Sequence, residues 1–211
     1  MADVKESILF VCAANVCRSP LMQYGFQQAI AGAVDIAVGS AGVSARSGAS
    51  MCELARTFVT STEARAAAGD HLARPVDESM LQADLIIVAS RAERGALAQL
   101  DAGARSRMFT LTEAVLLGRQ IPRASSSGDT SSSSLASYAE LLDGQRGMVT
   151  IPRPARPRRY APMVQAANPL DLPDGHQRRR GKHVRVLRRI GSEIEEFSSQ
   201  VLRHHGGLRR S

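Results

Sequence analysis

The amino-acid sequence predicts an α/β fold in which a four-stranded parallel sheet is covered by helices on both faces. Three observations predict it. Short apolar runs recur along the chain, helical patterns stand between them, and the chain finishes on a long amphipathic stripe. Parallel strands buried on both faces read as continuous apolar runs, and a strand, helix, strand order is the pattern that builds them.

Ser7 to Val11 opens the series, with Ile8-Leu9-Phe10-Val11 short enough for a buried strand. Arg18 to Ala31 is the first helix. Pro20 falls in its first turn, where a missing N–H costs nothing, and Leu21, Tyr24, Gly25 and Gln28 follow in steps of three and four. Val34 to Ser40 is the second strand and Ala49 to Ala68 the second helix. Ala83 to Ala89 is the third strand, Ala92 to Gln99 the next helix, and Arg107 to Leu111 the fourth strand. Between Leu117 and Asn168 the pattern dissolves: positions 125–134 are serine apart from Gly128, Asp129 and Thr130, a short helix fits Leu135 to Leu142, and a Pro/Arg stretch follows. The segment 118–167 therefore reads as an insertion in a mobile loop region of one domain spanning 1–211. The last helix is the clearest element, because Leu187, Ile190, Ile194, Phe197 and Val201 form an apolar stripe with Glu193, Glu195, Glu196 and Arg203 outward.

A chain of 211 residues buries roughly 70% of its unfolded surface, enough for a core without covalent staples. Three cysteines, two of them five positions apart, do not make a disulfide framework and point to a reducing, cytoplasmic compartment. Asp3 and Glu6 stand before a four-residue apolar run, so neither a signal peptide nor a membrane span is expected there. The net charge of +7 is uneven: residues 1–115 hold 10 basic and 12 acidic side chains, and residues 116–211 hold 17 and 8. Those later arginines lack the series of interleaved aromatic residues that single-strand binders use. They read as a solvated face, and nucleic acid is not the expected partner.

The chemistry is concentrated in Val11-Cys12-Ala13-Ala14-Asn15-Val16-Cys17-Arg18-Ser19-Pro20. A turn between a strand and a helix points successive N–H groups inward, and with the positive end of the helix dipole behind them they attract an anion and stabilise a thiolate. Cys12 falls at the carboxyl end of the first strand, where open parallel sheets bind ligands. Arg18 can grip two phosphoryl oxygens bidentately while the amides of Ala13, Ala14, Asn15, Val16, Cys17 and Ser19 take the others. Asn15 can bear a left-handed backbone and hold the turn by its side chain. Cys17 reads as a buried small residue, near enough to Cys12 for a reversible disulfide under oxidation.

This string resembles the signature of the low-molecular-weight protein tyrosine phosphatases, V-C-x-G-N-x-C-R-S-P, and departs from it at Ala14, where the family has Gly. Further likenesses are Ser40-Ala41-Gly42, Phe109-Thr110-Leu111-Thr112-Glu113 and Asp171-Leu172-Pro173-Asp174. The resemblance implies a three-layer α/β/α, flavodoxin-like fold with the active loop after the first strand, and hydrolysis of phosphotyrosine in proteins through a phosphocysteine on Cys12, without metal or cofactor. It implies that Ser19 hydrogen-bonds the Cys12 sulfur and that Ser40 supports Asn15. Asp174 takes the position of the general acid although no Pro follows it, with Asp171 as the fallback and His176 as the residue nearest the substrate ring. Ala14 must either fit the turn or strain it. Two other readings fit the same loop: an arsenate reductase using a small thiol cofactor, and a non-catalytic phosphate-binding protein.

Overall fold

A computed structural model describes residues 5–122, 133–148, 168–175 and 180–206. Four parallel strands, β1 (Ser7–Cys12), β2 (Ala37–Gly42), β3 (Leu85–Val88) and β4 (Met108–Thr110), lie in the order β2-β1-β3-β4. Because side chains alternate across a strand, each apolar run feeds two cores. Ile8, Phe10, Leu85, Ile87 and Phe109 face one layer; Leu9, Val11, Ile86, Val88 and Met108 face the other.

The first layer holds α1 (Arg18–Ile30), α2 (Glu53–Arg56), α3 (Thr62–Gly69), α5 (Leu111–Gly118), α6 (Leu135–Gly144) and α7 (Arg180–His204). The second holds α4 (Arg91–Leu100), through Leu97, and two 3-10 turns at Ser79–Gln82 and Ala102–Arg107, through Leu81 and Ala104. The three-layer α/β/α architecture is thus present. In the larger core, Phe26 packs between Phe10 and Phe197 as tilted rings at centroid separations of 5.6 and 5.7 Å, and Tyr138 continues the row at 6.4 Å from Phe197.

The expected helix over 49–68 is two helices. After Arg56 the chain runs through Thr57, Val59 and Thr60, β-branched residues that resist helix. Ser61 then starts α3 afresh by accepting a hydrogen bond from the Ala64 N–H. Gln28 of α1 accepts from the N–H groups of Thr60 and Ser61 at 2.9 and 3.1 Å, fixing the break. Helix α5 begins directly where β4 ends. Thr110 and Glu113 form a reciprocal capping box there, so the Phe109-to-Glu113 string is a strand end and a helix start together. Within 118–167, Leu135, Tyr138, Ala139 and Leu142 of α6 are buried against the core. The serine-rich positions 125–132, the Pro/Arg stretch and His176 lie outside the described residues. No helix among the described residues is long and apolar enough to cross a membrane.

The sheet order places a topological switch at the carboxyl ends of β1 and β3, the place where ligands bind in open α/β sheets. Cys12 is the last residue of β1.

Candidate active site

Between β1 and α1 the chain turns on Asn15, which has φ +53° and is among the described non-glycine residues the one with a left-handed backbone. Asn tolerates that conformation because its short polar side chain bonds locally. Asn15 is fully buried and its polar groups are engaged. Nδ2 donates to Ser19 Oγ and to Ser40 Oγ, both at 2.9 Å; Oδ1 accepts from the Arg74 N–H at 3.0 Å; and the carbonyl faces His71 Nε2 at 2.9 Å. Ser40 in turn donates to Gln23 Oε1 at 2.5 Å. Ala14 is not among the residues with positive φ, so the left-handed backbone that favours glycine is not called for where the resemblance has Gly.

Gly42 closes the loop from beneath. A Cβ there would stand 2.6 Å from the Ala13 carbonyl oxygen and 2.8 Å from the Asn15 nitrogen, so the second strand must present glycine for the loop to lie against it. Val43 and Ser44 donate to the carbonyls of Cys12 and Ala13 at 3.0 and 2.8 Å.

Inside this frame the Cys12 sulfur is 3.1 Å from Ser19 Oγ and accepts from the Asn15 N–H at 3.3 Å. Ser19 also reaches the Ala41 carbonyl at 3.2 Å, so its proton can turn toward either partner. Arg18, 7% exposed, stands at the head of α1. Its Nη1 lies 3.2 Å from Glu93 Oε1 and donates to the Leu172 carbonyl at 3.1 Å. Glu93, 5% exposed, accepts a hydrogen bond from Ser90, the residue that caps α4. A buried ion pair of this kind demands that neither partner be lost.

The late strap 168–175 docks on the same edge. Leu172 N–H donates to the Ala89 carbonyl at 2.8 Å, just past β3. Asp171 accepts from the Arg91 N–H at 3.0 Å and from Arg91 Nε at 3.3 Å, so its carboxylate is committed to the start of α4. Arg189 of α7 binds the strap from behind, donating to the carbonyls of Pro169 and Asp171 at 2.7 and 3.2 Å and to Thr112 Oγ1 at 2.7 Å. Asp174 is exposed at the far end of the strap. Its charge is felt at Cys17, whose thiol is pushed well up, first by burial and then by the neighbouring Cys52. The structure therefore gathers Cys12, Ala13, Ala14, Asn15, Val16, Cys17, Arg18, Ser19 and Ser40 in one loop system, with Asp174 exposed on the strap outside it.

Sequence reasoning missed Glu93, His71 and Arg74. Glu93 carried a signal, the Ser90-Arg91-Ala92-Glu93 helix-start pattern, but nothing local shows that its second oxygen meets Arg18. His71 and Arg74 reach the loop from an irregular stretch with no motif. His71 is held below the ordinary imidazole range, chiefly by burial. Its neutral tautomer then donates from Nε2 to the Asn15 carbonyl and accepts at Nδ1 from the Tyr24 hydroxyl at 3.2 Å.

A sulfur at the switch point, held by a serine hydroxyl and a main-chain N–H in a strand-to-helix turn that ends on a buried arginine, fits the class of cysteine-dependent phosphatases. The chain belongs to the low molecular weight phosphotyrosine protein phosphatase family, whose sequence profile matches residues 7–118. The match stops short of the strap and α7. Among solved structures, the chain is similar to a mutant of YwlE from Bacillus subtilis at 18% identity, with 93% of this chain and 98% of that one covered and a TM-score of 0.58. It is similar to the low molecular weight protein tyrosine phosphatase of T. tengcongensis at 18% identity, covering 91% and 97%, TM-score 0.57. It is also similar to the YwlE arginine phosphatase of Geobacillus stearothermophilus at 14% identity, covering 98% and 99%, TM-score 0.59. No curated protein matches the sequence.

Proposed function

We propose that this phosphatase hydrolyses phosphotyrosine in proteins by two-step transfer through Cys12. The observation that carries the reading is the buried Cys12 sulfur at the switch point, held by Ser19 and the Asn15 N–H in the loop that leads into the buried Arg18. In the first step the sulfur attacks phosphorus, the P–O bond to the aryl group breaks, and Asp174 gives its proton to the departing oxygen. Asp174 takes this role by its place in the strap before the last helix, as the resemblance implies, while the Asp171 carboxylate is held by Arg91. In the second step Asp174 takes a proton from water, the water oxygen attacks phosphorus, and the S–P bond breaks as Ser19 Oγ–H supports the returning sulfur. Charge on the transferring group falls to Arg18 and the loop amides.

The exposed or half-exposed side chains of the loop, Ala13, Ala14 and Val16, are all apolar. Such a rim suits a phenyl ring better than a guanidinium, which supports phosphotyrosine over phosphoarginine. The reduced thiols Cys12, Cys17 and Cys52 suit a cytoplasmic setting. The test is hydrolysis of para-nitrophenyl phosphate, followed by a comparison of phosphotyrosine, phosphoserine and phosphoarginine peptides and of arsenate reduction. Cys12→Ser is expected to abolish turnover, and vanadate to block the parent. Turnover by Cys12→Ser near that of the parent overturns the mechanism; preference for phosphoarginine or arsenate overturns the substrate assignment.

A further inference from the structure

Where the loop runs into α1, two more sulfurs and an imidazole converge from three elements. Cys17 precedes α1, Cys52 precedes α2, and His183 stands in the first turn of α7; their ligand atoms all lie within 4.8 Å of one another. Cys17 and His183 are buried and Cys52 is half-buried. The set is held by main chain. The Cys52 N–H donates to the Val16 carbonyl at 2.8 Å, tying the start of α2 to the loop. Gly175 lies so near α7 that a Cβ there would stand 2.9 Å from His183 Cα.

We propose that Cys17, Cys52 and His183 form a binding site for a zinc-class divalent cation, separate from the Cys12 sulfur and beyond the phosphatase reading. Two sulfurs and an imidazole are the donors of borderline-soft first-row cations, whereas magnesium and calcium call for oxygen. Around tetrahedral zinc, with bonds of about 2.0–2.3 Å, ligand atoms stand roughly 3.5–3.8 Å apart, so a contraction of about 1 Å closes the site. Water fills the fourth position. Binding exchanges two thiol protons, released to solvent, for two metal–sulfur bonds, with no change of oxidation state. The two thiolates offset the cation's charge, which removes most of the penalty for burying an ion. Bound metal would pin three elements together: the residue before Arg18, the start of α2, and the first turn of α7.

The experiment uses the full chain carrying Cys12→Ser, kept reduced, so that the remaining thiols are those of the site. Cobalt(II) is the probe. One equivalent is expected to give a sulfur-to-cobalt charge-transfer band with the intense visible bands of a tetrahedral complex, and zinc is expected to bleach both. Adding Cys52→Ser should remove most of the charge-transfer band, and adding His183→Asn should shift the visible bands. Should His183→Asn fail to fold, Cys52→Ser decides the matter, since its position is half-buried. Absence of the charge-transfer band in the Cys12→Ser chain, or its full retention with Cys52→Ser, overturns the site. Because that chain has no nucleophile, the result is independent of whether the phosphatase reading holds.

Discussion

At the scale of single residues, the loop depends on contacts that a methyl group or one lost charge would upset. Gly42→Ala puts a carbon 2.6 Å from the Ala13 carbonyl and 2.8 Å from the Asn15 nitrogen, and both obstacles are backbone. The loop must move to make room, and a misplacement on the order of 1 Å costs about a hundredfold in rate. Gly42→Ala is therefore expected to lower kcat/KM for para-nitrophenyl phosphate by about that factor while the far-ultraviolet circular dichroism stays at the parent's; activity within twofold of the parent would show that the loop tolerates the methyl. Glu93 supplies a second case. Removing its charge leaves the Arg18 guanidinium buried with the Leu172 carbonyl as its remaining partner among these contacts, and an orphaned buried charge costs about 3–5 kcal/mol. An oxyanion bound in the loop would restore a counter-charge. Glu93→Gln is thus expected to melt well below the parent and to regain more from saturating phosphate than the parent gains, because a ligand that binds only the folded state stabilises it. Equal shifts in a thermal melt would show that Glu93 does not hold Arg18.

At the scale of elements, the strands and α7 were legible because burial writes itself into composition: Ile86 and Ile87 face opposite cores and both must be apolar, and the stripe from Leu187 to Val201 is buried as its spacing implies. The loop was legible because Asn15, Arg18 and Ser19 act within a few positions of Cys12. What the sequence concealed are contacts between distant segments. The break between α2 and α3 depends on Gln28, 32 positions before Thr60, and the partner of Arg18 comes from α4. Arg189 shows the same logic: it sits on α7 and fastens the strap through two carbonyls and, with Thr112 and Glu193, joins the strap to α5 and α7. With Asp174 as the acid, Arg189 is a positioning residue. Arg189→Ala is expected to lower kcat more for phenyl phosphate, whose leaving group needs the proton, than for para-nitrophenyl phosphate, and to leave KM nearly unchanged. Arg189→Lys should not restore the rate, because one ammonium cannot reach the several acceptors a planar fork serves. Equal losses on both substrates would place Arg189 in folding alone. Packing in the larger core has its own measure. Phe197 is fully buried against Phe26 and Tyr138, and Phe197→Ala is expected to cost about 3–5 kcal/mol in urea unfolding.

At the scale of the whole molecule, two histidines far apart in sequence tie folding to pH in the same direction. His71 locks the loop, and His204, at the last turn of α7, meets Ser137 Oγ at 2.9 Å and packs against the Tyr138 ring. Burial is the first cause holding both below the ordinary value of 6.5, aided by the Arg74 charge at His71 and by His205 at His204. In the unfolded chain each imidazole takes a proton as the pH falls through about 6.5, while in the native state it remains neutral until lower pH. The unfolded state then binds more protons, so stability rises with pH inside that window by at most about 1.4 kcal/mol per pH unit for each histidine. Their contribution is complete above the unfolded value and is lost as the pH drops toward the depressed native values. The net charge of +7 adds self-repulsion that grows in acid and works the same way. A variant separates the two effects. His71→Gln keeps a donor for the Asn15 carbonyl and removes one titration while leaving the charge at neutral pH unchanged. Urea melts at intervals between pH 7.5 and pH 5 are expected to show a shallower loss of stability in His71→Gln than in the parent, and identical slopes would mean that His71 accepts its proton in place without cost to the loop.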